Sequence, residues 1–236
     1  HTERMLQGFG YPVDRNGPTA CLEGGGKLTA ANIDVPADIS SATFFMVGAS
    51  IAEDSDILLE NVGINPTRDG VISILKLMGA DITLSNEKEI CGEPVADIRV
   101  RSANLKGIDI PEDLVPLAID EFPAIFIAAA CASGVTRLTG AEELRVKESD
   151  RIQVMADGLI TLGIKVEPTP DGIVIQPGTF NGGEVHSHGD HRIAMSFAMA
   201  ALRATGDITI NDCDNVATSF PNFIELANHS GLNISN

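Results

Sequence analysis

Asp120-Glu121-Phe122-Pro123-Ala124-Ile125-Phe126 places a carboxylate pair ahead of an apolar, alanine-rich run, and the chain contains this Asp-led arrangement three times. The other copies are Asp38-Ile39-Ser40-Ser41-Ala42-Thr43-Phe44-Phe45 and Asp190-His191-Arg192-Ile193-Ala194-Met195-Ser196-Phe197. Aspartate is a good helix N-cap, so each copy reads as a capped, buried helix. An Ile-, Val- and Thr-rich run follows each one and predicts a strand: Asp56–Val62, Val135–Leu138 and Asp207–Ile210.

A second helix follows in each copy. The starts are Asn65-Pro66-Thr67, Ser149-Asp150 and Thr218-Ser219-Phe220-Pro221, and the stops are Gly79, Gly163 and Gly231. Glycine there accepts the left-handed conformation that closes a helix. Short strands come next at Ala80–Leu84, Ile164–Val166 and Leu232–Ile234. The period is about 70–80 residues, too long for a solenoid and suited to a compact α/β unit. His1 to Val13 matches only the second half of a unit, with Thr2 as cap, a helix through Met5 and Leu6, Gly10, then a strand. The expectation is a chain that begins inside a repeat, with more protein upstream. Residues 1–35 would end one domain and residues 36–236 would form a second domain of three units.

Composition narrows the class. Of 236 residues 44% are hydrophobic, enough for a substantial core, and no apolar run approaches the roughly 20 residues of a membrane span. The net charge of −17 argues against nucleic acid or an anionic membrane as partner. Cys21, Cys91, Cys131 and Cys213 are widely spaced and form no CxxC pair, which fits a reducing, cytoplasmic setting and no cysteine-built zinc site.

Against this acidic background three cations fall within seven residues of Leu144-Arg145-Val146-Lys147-Glu148-Ser149-Asp150-Arg151. One reading is a solvated helix start with surface ion pairs. The other is an anion site that also moves protons, in which cations and a helix N-terminus hold the anion and a carboxylate beside a lysine serves as acid or base. Ser149 is the expected N-cap of the helix carrying Ile152, Met155, Leu159 and Leu162. Lys147 and Glu148 then lie on extended backbone before the cap, and Arg151 in the first turn has a fork suited to a carboxylate or phosphate. Arg192 occupies the first turn of the third Asp-led helix. Asp120 reads as a cap, and Arg145 is open between structure and binding. Arg68 reads as a surface residue with anion binding as the alternative. His186-Ser187-His188-Gly189-Asp190-His191 offers a metal site without any firm ligand pattern.

These strings, together with His1-Thr2-Glu3-Arg4-Met5-Leu6-Gln7-Gly8-Phe9-Gly10, Asn65-Pro66-Thr67-Arg68, Glu142-Glu143-Leu144 and Thr218-Ser219-Phe220-Pro221, occur in the order found in a known family. Over its whole length the chain resembles the C-terminal half of the 5-enolpyruvylshikimate-3-phosphate synthase family, in its bacterial class related to glyphosate-tolerant forms. The resemblance implies an α/β fold of repeated βαβαββ units, arranged as an inside-out α/β barrel. It implies transfer of the enolpyruvyl group of phosphoenolpyruvate to the 5-hydroxyl of shikimate 3-phosphate, without metal or cofactor. The missing N-terminal half would be needed for activity, and the complete protein would be a monomer.

By the same resemblance Asp120 binds the shikimate hydroxyls and acts as base, and Lys147 contacts substrate and the reaction centre. Glu148 exchanges a proton with the reacting carbon, Arg151 and Arg192 bind phosphoenolpyruvate, and His191 supports the site. The helix start is expected to keep Asp120 ionised. Thr218 stands where some members carry a lysine, so donor binding would rest more on Arg151 and Arg192. Other readings are a UDP-N-acetylglucosamine enolpyruvyl transferase, which these strings fit poorly, a catalytically silent binding module, and a metal-dependent enzyme.

Overall fold

The computed structural model describes residues 1–235. Its elements are α1 (Thr2–Gly8), β1 (Asp14–Asn16), β2 (Thr19–Cys21), α2 (Ile39–Ile51), β3 (Asp56–Gly63), α3 (Gly70–Leu77), β4 (Asp81–Ile90), β5 (Glu93–Arg101), α4 (Phe122–Cys131), β6 (Thr136–Leu138), α5 (Arg151–Thr161), β7 (Val166–Thr169), β8 (Gly172–Ile175), β9 (Gly183–His186), α6 (His191–Ala200), β10 (Ile208–Asn211), α7 (Asp214–Ser219) and α8 (Phe223–His229).

The three Asp-led helices are α2, α4 and α6. They are buried along almost their whole lengths and pack on one another. A helix that is apolar on all sides belongs inside, and alanine at Ala128, Ala129, Ala130, Ala194, Ala198 and Ala200 lets the backbones approach. Each helix is the crossover of a parallel strand pair. Ala37 bridges Val62 around α2, Asp109 bridges Arg137 around α4, and β9 pairs β10 around α6. The sheets lie outside these helices; β3 exposes one face, and β4 is exposed on both faces over residues 85–89.

The first two units close alike, with an antiparallel hairpin whose second strand inserts between the other two: order β3-β5-β4 and β6-β8-β7. The third differs from expectation. Leu232–Ile234 forms no strand, and Asn228 instead brackets that segment by bonding both the N–H and the carbonyl of Ile234. The expected helix start at Thr218 is also displaced. Thr218 and Ser219 end α7, Pro221 separates the helices, and α8 begins at Phe223. Phe220 and Phe223 pack on Phe45, with ring centroids 6.2 and 6.1 Å away, which fixes the break. The glycine stops hold: Gly79 and Gly163 take φ of 91° and 90°.

At the N-terminus α1 has His1 rather than Thr2 in the cap position and no side-chain cap bond. It is joined to the first unit through polar contacts, His1 to Glu93 at 2.8 Å and Arg4 to the Gly92 carbonyl at 2.6 Å.

Close packing of α5 on α6 sets the height of the α5 start, because the Phe197 ring lies directly against Gly158 and a Cβ there would overlap it. Gly158→Ala is therefore expected to cost about 1–3 kcal/mol, the usual cost of overpacking a core. Urea unfolding measures it, and an unchanged midpoint would contradict this packing.

Candidate active site

Four helix starts meet at one end of the helical core. Ser40, in the first turn of α2, donates to Glu121 at 2.5 Å, and Glu121 immediately precedes α4. Arg192, in the first turn of α6, donates to the Asp120 carbonyl at 3.3 Å. Arg151, the first residue of α5, donates through Nε to Asp190 at 2.8 Å, and Asp190 caps α6. The positive ends of these helices thus face one locality, which favours negative ligands.

Arg151 is completely buried. Besides Asp190 it donates from Nη1 to Asp120 at 3.1 Å and from Nη2 to Glu148. Asp190 is also fully buried and accepts from the Ser149 hydroxyl at 3.1 Å and from the Arg192 backbone N–H at 3.0 Å. Ser149 therefore does not cap α5. The next residue, Asp150, does so by accepting from the Gln153 N–H at 3.0 Å.

Asp120 likewise is not a cap. Asp38 and Asp190 cap their helices, whereas Asp120 lies one residue outside the α4 cap position and turns its carboxylate to cations. Its oxygens lie 3.1 Å from Arg151, 3.6 Å from Lys147, 3.8 Å from Arg68 and 4.0 Å from Arg192. Burial pushes its pKa up, but Arg192, Lys147 and Arg151 outweigh this and hold it below the ordinary aspartate value. The expectation of an ionised Asp120 stands, with cations rather than a cap as the cause.

Lys147 sits on extended backbone and also contacts the exposed Glu143 at 2.5 Å. Glu148 is half-exposed, with its carboxylate on Arg151. His191, beside Arg192, is half-buried; burial, then the Arg192 charge, lowers its pKa and keeps the ring neutral at neutral pH. The predicted residues Asp120, Lys147, Glu148, Arg151 and Arg192 thus come together, with His191 at the edge.

The structure decides the open cases. Arg145 is structural: it donates to Asp150 at 2.7 Å and to the Pro170 and Thr169 carbonyls at 2.8 and 2.5 Å, clamping the β7–β8 turn. Arg68 is drawn into the site, donating to the Ser40 hydroxyl at 3.0 Å. Glu121 and Ser40, unmarked in the sequence reading, lie beneath Asp120; the available signal was a charged residue opening a helix with no other charge. His186 and His188 are exposed, with ring centroids 6.1 Å apart. Among the described residues no group of three or more His, Cys, Asp or Glu side chains could hold a metal. Thr218 is exposed on α7.

The sequence profile of EPSP synthase (3-phosphoshikimate 1-carboxyvinyltransferase) matches residues 1–226. The chain belongs to the EPSP synthase family. It is 70% identical to the 3-phosphoshikimate 1-carboxyvinyltransferase of Alkalilimnicola ehrlichii across 98% of this chain and 52% of that protein. The EPSP synthase structure from Acinetobacter baumannii superposes with a TM-score of 0.97 at 64% identity, covering 100% of this chain and 55% of that one. The enolpyruvyl transferase NikO from Streptomyces tendae shares the fold alone, with a TM-score of 0.78 at 17% identity over 98% of this chain and 52% of that one. The chain spans about half the length of the curated relatives it matches. The α/β enolpyruvyl transferase fold expected from the sequence is thereby established.

Two outcomes follow from this geometry. Arg151→Ala leaves Asp190 buried without its cation and is expected to cost about 3–5 kcal/mol of stability, read by urea unfolding. Asp120, with its pKa depressed on folding, contributes stability above the unfolded value that is lost as pH falls through the folded value. The stability gap between wild type and Asp120→Asn should therefore narrow below about pH 4, near the unperturbed aspartate value; a constant gap from pH 7 to pH 3 would contradict the ion pairing.

Proposed function

We propose that this chain is the C-terminal part of an enzyme that transfers the enolpyruvyl group of phosphoenolpyruvate to the 5-hydroxyl of shikimate 3-phosphate, releasing phosphate. The observation that carries this reading is the convergence of Asp120, Lys147, Glu148, Arg151 and Arg192 on the starts of α4, α5 and α6. Residues 1–35 would complete a first domain whose remainder lies in an N-terminal half. The substrates would bind between that domain and the four helix starts. The complete protein would be a cytoplasmic monomer.

The chemistry divides into addition and elimination. The acceptor hydroxyl oxygen bonds to C2 of phosphoenolpyruvate, its proton passes to Asp120, and the C3 methylene takes a proton from Glu148. In the second step the C2–O bond to phosphate breaks, the departing phosphate takes up the proton held by Asp120, C3 returns a proton to Glu148, and the carbon–carbon double bond re-forms. A base must be ionised for the first transfer, and the cations around Asp120 provide that state. Glu148 is the one carboxylate of the cluster that is half-exposed and so able to reach a substrate carbon. Arg192 supplies donors for the carboxylate or phosphate of the donor, Arg151 joins it through Nη2 once Glu148 lets go, and Lys147 adds charge beside the reaction centre. Thr218, exposed and neutral, adds no cation.

The direct test is phosphate release from phosphoenolpyruvate by this chain joined to its N-terminal half. Release that requires shikimate 3-phosphate and both halves is expected; release dependent on a UDP-sugar acceptor, or none from a folded complete protein, would overturn the reading. In that protein Glu148→Gln should lower kcat by about 10²–10⁴-fold, the usual worth of a general acid–base group. Near-wild-type turnover would remove Glu148 from the proton transfers.

A further inference from the structure

Helix α4 is apolar from end to end, yet the residue that opens it, Glu121, is a carboxylate only 2% exposed. Burying a charge costs several kcal/mol unless it is well paired, and an apolar residue of similar size usually serves stability as well or better. Glu121 has one direct hydrogen bond, from Ser40 at 2.5 Å, and two guanidiniums at longer range: Arg192 at 3.7 Å and Arg68 at 3.9 Å. Burial is the dominant influence on it and raises its pKa above the ordinary glutamate value, against the opposing pull of Ser40, Arg192 and Arg68. Folding therefore disfavours its charged form, so the residue is a liability to stability at neutral pH. What it does provide is a fixed negative point between cations on two separate segments.

We propose that Glu121 is a positioning residue that holds the Arg192 and Arg68 guanidiniums toward Asp120, with Ser40 fixing its carboxylate. Arg192 donates Nη1 to the Asp120 carbonyl while that same nitrogen faces Glu121, which leaves Nη2 toward the Asp120 carboxylate and the site. Arg68 reaches the same point from the segment before α3, held by the Ser40 hydroxyl. A long arginine side chain has many rotamers, and fixing its head before the ligand arrives lowers the entropy cost of binding. The inference rests on the functional reading in that phosphoenolpyruvate is the anion Arg192 meets.

The test is calorimetric titration of the complete protein with phosphoenolpyruvate, alongside kcat and the thermal midpoint at pH 7. Glu121→Gln keeps the size and the acceptor for Ser40 but removes the charge. The expected result is a Kd raised about 10- to 100-fold, the scale of misplacing a binding group. The thermal midpoint should be equal or higher, which a merely structural role would not give. In an Arg192→Ala background the same substitution should add little. Ser40→Ala, which frees the carboxylate without removing it, should move Kd in the same direction by less. Unchanged affinity in Glu121→Gln, a loss fully additive with Arg192→Ala, or a loss that tracks a fall in the midpoint would overturn the inference. A wild type that releases no phosphate but loses affinity in Glu121→Gln would overturn the functional reading and uphold the positioning role.

Discussion

A guanidinium shut away from water must have its N–H groups met by acceptors, and among the described residues Arg151 is the one cation in that position. Its three carboxylate partners come from the α6 cap, the residue ahead of the α4 cap position, and the loop before α5. The relative placement of three helix starts is thus bound to one side chain. Asp190 depends on it most, because that carboxylate is equally buried and among the described residues has no other cation as partner. Lys147, Glu148 and Arg192 all lie within a residue or two of positions Arg151 fixes, so the shape of the site follows from this ion cluster and from the packing of α5 on α6 beneath it.

The same cluster shows how an acidic chain can gather cations at one place. Arg68, Lys147, Arg151 and Arg192 face Asp120, Glu121, Glu148 and Asp190, so the formal charges balance. Balance is what lets the cations be held close together before any ligand arrives. It also means that an anion must compete with carboxylates. Glu148 is the partner best able to yield, being half-exposed and carried on loop backbone, whereas Asp190 is enclosed. On this account binding of the donor and release of Glu148 for proton transfer are one event. Under the proposed function, the remaining positive charge for two phosphorylated substrates would come from the N-terminal half.

Much of the fold was legible because it is set locally. Asp38 and Asp190 cap their helices, Gly79 and Gly163 close theirs, and the all-apolar runs of α2, α4 and α6 announce burial before any contact is known. The motif strings pointed to Asp120, Lys147, Glu148, Arg151 and Arg192, and the fold brings those side chains together. What local reading could not reach was the choice between equivalent partners. Ser149 and Asp150 are both good caps, and Ser149 lost because Asp190 drew its hydroxyl away. Asp120 gave up capping because four cations from other segments surround it. Arg68 looked like surface because Ser40, 28 positions earlier, is its partner only after folding. The last strand failed for the same kind of reason, with Asn228 holding the segment that periodicity assigned to a sheet.

The most direct check is a structure of the complete protein with phosphoenolpyruvate and shikimate 3-phosphate bound. The account predicts phosphoenolpyruvate between Arg151 and Arg192, the acceptor hydroxyl at Asp120, and Glu148 released from Arg151 toward the methylene carbon. Donor density away from these arginines, with Glu148 still on Arg151, would contradict it.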